Sequence, residues 1–247
     1  MWTQLFLKKG QTYVATLLER AKGSALDVVI NNNAPIGTTT LLSSHVRQIR
    51  YLEFPGNSQE DIISFSEISS GPLPLLRNLK IAPILFFDPP DQHNAATPSS
   101  SRLFGGATNL EVFFFNSNQL ELLSRFVFPN LTTFQLSTWE CDASGLFDFL
   151  KASPTLRMVE VDVHWMIVLE NIPQATVITL PNVETLSLHM TDGLQVYDIT
   201  GYISCPRARR IFLGYDISDD CIVPGLELFP SSVSWRTTLH QFAQSPV

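Results

Sequence analysis

Pro129-Asn130-Leu131-Thr132-Thr133-Phe134-Gln135-Leu136 is one of five stretches built on one pattern: proline, any residue, apolar, any two, apolar, any, apolar. The others start at Pro74 (Leu76, Leu79, Ile81), Pro154 (Leu156, Val159, Val161), Pro181 (Val183, Leu186, Leu188) and Pro206 (Ala208, Ile211, Leu213). Without the proline the pattern also fits Ile49, Leu52, Phe54 and Leu110, Phe113, Phe115. The first apolar residues fall at 49, 76, 110, 131, 156, 183 and 208, in steps of 27, 34, 21, 25, 27 and 25. With 45% of residues apolar, any three chosen positions are all apolar roughly one time in eleven, so a single copy means little. The prolines carry the weight, because 16 in 247 residues would place about half of one at seven random positions, and five hold one. Proline fixes φ and cannot continue a helix, so each marks where a helix or loop ends and an extended segment begins.

A step of about 20–29 residues carrying L-x-x-L-x-L is the mark of a leucine-rich repeat. The expected fold class is α/β: a leucine-rich-repeat-like solenoid with parallel strands on the concave face and helices and loops on the convex face. The expected organisation is a single domain over 1–247, since a stack of such repeats consumes the whole length. Residues 1–48 supply an N-terminal helix and first strand, 49–215 the repeats and 216–247 a C-terminal cap. Val14, Leu17, Leu18 and Ala21 share a helical face that Gly23 ends, and Leu26, Val28 and Ile30 alternate as a strand. Between strand motifs the period changes to about 3.6, in Ile62 to Ile68, Leu120 to Phe126, Leu146 to Leu150, and Leu194, Tyr197, Ile199, Tyr202 and Ile203. The 34-residue step holds a Pro/Ser-rich run without periodicity, so 88–102 is expected as a flexible insertion. Trp235, Leu239 and Phe242 lie at helical spacing and would shield the last repeat.

In an L-x-L strand the apolar residues point to the core and the intervening ones to the other face. The concave-face binding candidates are therefore Tyr51, Glu53, Lys80, Phe114, Gln135, Glu160, Asp162, His189, Arg210 and Phe212. Phe114 and Phe212 are the notable members, because a large ring facing water is costly unless covered.

Sixteen Lys and Arg against 23 Asp and Glu give −7, which opposes attraction to phosphate backbones or anionic lipid. The Arg207, Arg209, Arg210 cluster is short and reads as a solvated strand face. Neither nucleic acid nor membrane is expected as a partner; the longest apolar stretch, Ile81 to Phe87, is far below a span. Cys141, Cys205 and Cys221 are odd in number and lack C-x-x-C spacing, which fits reduced thiols in the cytoplasm or nucleus. Asn130-Leu131-Thr132 matches a glycosylation acceptor, but Leu131 is a core anchor.

No phosphate loop, G-x-S-x-G or H-E-x-x-H is present, and the five histidines have no metal-ligand spacing. No catalytic residues, metal or cofactor are expected, and the chain is not expected to be an enzyme. Asp162 and His164 share a strand face and are the one acid/base pair to weigh against a solvated edge. Asp142, Asp148, Asp219 and Asp220 read as caps and turns.

The segments Trp2-Thr3-Gln4-Leu5, Leu17-Leu18-Glu19-Arg20-Ala21 and Leu26-Asp27-Val28-Val29-Ile30, with the later Phe128-Pro129-Asn130-Leu131 and Leu180-Pro181-Asn182-Val183, carry a resemblance. They resemble the region downstream of the F-box in basidiomycete-type fungal F-box proteins with degenerate leucine-rich repeats. The resemblance implies a non-catalytic module that captures an unknown protein partner, as the substrate-binding part of an F-box-type ubiquitin ligase subunit. The F-box itself, a helical segment opening with a Leu-Pro-x-Glu-like motif, is not in these residues. Binding of the ligase adaptor is expected only where that box precedes Met1 in the native protein. The alternative is a free-standing leucine-rich-repeat scaffold with no ubiquitin connection.

Overall fold

The computed structural model describes residues 3–7, 11–31, 37–57, 59–68, 71–82, 102–117, 120–168, 177–190 and 199–215. Nine strands form one parallel sheet: β1 (Thr3–Phe6), β2 (Leu26–Val29), β3 (Ile49–Pro55), β4 (Asn78–Ala82), β5 (Val112–Asn116), β6 (Thr133–Asp142), β7 (Met158–Val168), β9 (Thr185–Met190) and β11 (Arg210–Tyr215). They lie side by side in chain order. Two short strands, β8 (Ile178–Thr179) and β10 (Ile203–Ser204), pair with each other just ahead of Pro181 and Pro206. The architecture is thus α/β, with a large parallel sheet and few helices. Among the described residues no helix is long and apolar enough to cross a membrane.

Each of the five prolines sits in a turn, and β4, β6, β7, β9 and β11 each open four residues past one. The residue just before the first apolar anchor of a copy ties successive turns together. Asn109 donates to the Pro74 carbonyl, Asn130 to that of Thr108, Thr155 to that of Pro129 and Asn182 to that of Pro154, at 2.9, 2.8, 3.1 and 3.0 Å. A polar side chain at this place thus pairs a turn carbonyl that no strand partner reaches. Asn130, in the apparent glycosylation triplet, is one rung of this ladder.

The inner apolar residues of the central strands are all buried: Leu52 and Phe54, Leu79 and Ile81, Phe113 and Phe115, Phe134 and Leu136, Val159 and Val161, Leu186 and Leu188. The helices add to the same core. From α1 (Gln11–Ala21) come Val14, Leu18 and Ala21, from α2 (Thr38–Ser43) Leu42, from α3 (Gln59–Ile68) Ile62 and Phe65, and from α4 (Ala143–Lys151) Leu146, Phe147, Phe149 and Leu150. Phenylalanine rings run through it from Phe54 to Phe104 (6.0 Å between centroids), Phe126 (6.3 Å), Phe113 (5.0 Å), Phe134 (5.8 Å) and Phe149 (4.5 Å). Parallel sheets are ordinarily covered by helices on both faces. Here the opposite face stays half-exposed along β3 to β7.

Several expectations need correction. β1 was not anticipated, because Thr3–Phe6 is too short and too mixed to show a period; its pairing with β2 creates the strand. Leu120 to Phe126 forms a 3₁₀ helix over Leu120–Arg125 rather than an α-helix, and Phe126 leaves it to bridge Leu103. Of the expected helix through Leu194 to Ile203, residues 191–198 lie outside the described residues and Ile199 is helical, but Tyr202 stands in a turn and Ile203 opens β10, paired with Ile178, so the helix ends before them. Asp148 lies inside α4 instead of capping it. Residues 88–101 of the expected insertion and the expected cap over 216–247 lie outside the described residues.

Candidate functional site

Because neighbouring strands are in register, residues at equal offsets from the turn form rows across the open face. The first row is Tyr51, Asn78, Val112, Thr133, Met158, Thr185 and Arg210. The second is Glu53, Lys80, Phe114, Gln135, Glu160, Ser187 and Phe212, and a third runs through Asn116, Ser137, Asp162, His189 and Gly214. All ten sequence candidates fall on these rows.

At the β2 to β4 end the charged groups satisfy one another. Arg50 grips Asp27 with Nε and Nη2 at 2.7 to 3.1 Å, a bidentate pair. Glu53 accepts from Tyr51 Oη at 2.6 Å on one oxygen and from Lys80 Nζ at 2.9 Å on the other. Partial burial pushes the Glu53 carboxyl upward, but the Tyr51 and Lys80 bonds outweigh it and hold the group below its ordinary value. Burial, then the Glu53 carboxylate, push the Tyr51 hydroxyl well up, so it stays a donor. Lys80 Nζ also lies 5.4 Å from the centroid of Phe114, a cation over a ring face. Tyr51, Asn78, Lys80, Val112, Phe114 and Gln135 line an open depression of about 330 Å³.

The middle is less self-contained. Gln135 donates to Glu160 at 2.7 Å, and no ion pair reaches Glu160 among the described residues. Toward the far edge Arg210 is exposed and Phe212 is 55% exposed, so only this second aromatic faces water as expected; Lys80 partly covers the first.

In the third row, His189 Nδ1 lies 3.0 Å from Asp162 Oδ1, while His164 Nε2 lies 3.6 Å from Asp162 Oδ2 and 3.3 Å from Ser137 Oγ. Asp162 therefore engages the histidine across the sheet more closely than the one on its own strand. One nitrogen of His164 faces both neighbours, unlike a relay in which opposite ring nitrogens hold the carboxylate and the nucleophile. A Cβ at Gly214 would lie 2.6 Å from His189 Cδ2, so glycine there makes room for the imidazole. Trp139 stands beside His164 with ring centroids 6.2 Å apart. Its place was missed because it lies past the short repeat pattern, where β6 runs on to Asp142.

Among the described residues no three His, Cys, Asp or Glu are placed to hold a metal ion. Cys141 is buried, and burial pushes the half-buried Cys205 thiol up to about 11, away from thiolate reactivity. No protein-family model, no curated protein and no solved structure matches the chain.

Proposed function

We propose that this chain is a leucine-rich-repeat-like solenoid whose open strand face binds another protein, without chemistry of its own, as the substrate-binding part of an F-box-type ubiquitin ligase subunit. One observation carries the recognition reading. The sheet is packed by helices on one face and presents rows of unlike side chains on the other, ending in an exposed aromatic. Aromatic and charged groups held on a rigid scaffold are what interface centres are made of. The ligase role rests on the sequence resemblance and adds the adaptor as a partner only where an F-box precedes Met1.

The test is a photo-crosslinking amino acid placed at Gln135 on the open face or at exposed Glu19 on α1, in the native protein. Crosslinks to a partner from position 135 and not from position 19 are expected; equal yields would sink the reading. For the ligase role, an in-frame Leu-Pro-x-Glu-like segment upstream of Met1 and co-purification of the adaptor are expected. Without them the free-standing scaffold is left.

A further inference from the structure

The open face carries an unbalanced charge with a definite geometry around it. Asp27 is paired with Arg50 and Glu53 with Lys80, while Asp162 has the His189 imidazole within hydrogen-bond distance. Glu160 accepts from Gln135 but meets no cation among the described residues. It stands midway between two rings of its row, with Phe114 two strands to one side and Phe212 two strands to the other. Phe212 is exposed, and Phe114 is half-buried with Lys80 over part of its ring. The face thus offers aromatic, anion, aromatic in a line.

The spacing of that line selects a backbone. Strands about 4.8 Å apart put each ring about 9.6 Å from Glu160 along the row. An extended β-type segment repeats its sides every 6.8 Å or so and misses both marks. Seven residues of α-helix advance about 10.5 Å, overshooting by nearly 2 Å across the two steps. A polyproline II helix has three residues per turn and advances about 9.3 Å per turn, so residues i, i+3 and i+6 fall on one edge at the required interval.

We infer that the open face binds a polyproline II segment of a protein partner laid across the strands. One apolar side chain sits on Phe114, an Arg or Lys three residues along meets Glu160, and a second apolar side chain three further on covers Phe212. The inference rests on the recognition reading above and gives the partner its chemistry. Such a segment is extended before it binds, so little ordering entropy is lost, and its unpaired carbonyls can accept from the Ser187 hydroxyl between Glu160 and Phe212.

The test is fluorescence anisotropy with the full chain and three labelled synthetic peptides: Pro-Leu-Pro-Pro-Arg-Pro-Pro-Leu-Pro, its Arg-to-Glu counterpart, and an alanine-based helical peptide with Leu, Arg and Leu seven apart. The Arg peptide is expected to bind about tenfold more tightly than the Glu peptide. Glu160→Gln should abolish that difference, and Phe212→Ala should weaken both proline peptides about threefold or more. Both variants are on the open face, and an unchanged far-UV circular dichroism spectrum checks that they fold. Equal affinity for the two proline peptides, preference for the helical one, or no saturation of any up to about 1 mM would overturn the inference. If crosslinking from position 135 to a native partner persists in those cases, the recognition reading survives; if it too is lost, both fall.

Discussion

Phe134 and Gln135 are neighbours on β6, yet they belong to two different environments. Phe134 is wholly buried, with rings from Phe113 and Phe149 against it. Gln135 is half-exposed and makes one side-chain hydrogen bond, to Glu160 one strand over. Along the inner face, position after position is Leu, Ile, Val or Phe, because the requirement there is to be apolar and to fill space. Along the open face the neighbours are unlike, and they sort into a self-satisfied end around Glu53 and a less satisfied stretch from Glu160 to Phe212. One side of each strand holds the fold together, and the other is at liberty to carry specificity.

That comparison can be broken most directly at Phe134. Phe134→Asp puts a carboxylate into a dry, ring-lined site and should cost more than about 4 kcal/mol, enough to abolish a cooperative thermal transition. A folded Phe134→Asp protein would mean the two faces are assigned the wrong way round. The turn ladder should respond more gently. Asn130→Ala removes a single exposed bond to the Thr108 carbonyl and should cost about 0.5–1 kcal/mol in urea unfolding, with no change in spectrum.

Within the open face, the Glu53 network should show itself through pH. Its carboxyl is held low in the folded chain, so its contribution is present above the unfolded value of about 4.3 and is lost as pH falls through the lower folded value. Glu53→Gln should therefore be less stable than the parent by under about 1 kcal/mol near neutrality, and the gap should close in acid. A gap that widened in acid would contradict the pairing with Tyr51 and Lys80. The smallest effect belongs to Gln135→Ala, expected within about 0.5 kcal/mol of the parent in the same unfolding measurement. A loss comparable to that of Phe134→Asp would overturn the register.

Much of this was legible in the chain because a repeat multiplies its own evidence. Five prolines at a common offset located five strand starts, and alternation within each strand then separated Tyr51 and Glu53 from Leu52 and Phe54. Even the Glu53 to Lys80 pair follows once anchors 49 and 76 are aligned, since equal offsets become lateral neighbours. The pattern failed where it had no repetition to lean on. Thr3–Phe6 has too few residues for any period to show, and apolar spacing carried a helix that includes Ile199 too far, through Tyr202 and Ile203, because spacing is blind to the partner that Ile203 finds in Ile178.

The sequence by itself thus determined which residues of the repeats are inside, where the repeat strands begin and which side chains share a row, since these depend on local backbone rules and on apolar periodicity. Only the tertiary structure decided which neighbour each polar group takes. Asp162 turns to His189, 27 positions away, at 3.0 Å rather than to His164, two positions away, at 3.6 Å. Gly214 opens the space for that imidazole from a third strand. Such choices depend on distances between strands and on the room left by side chains remote in the chain, and no spacing along the sequence encodes them.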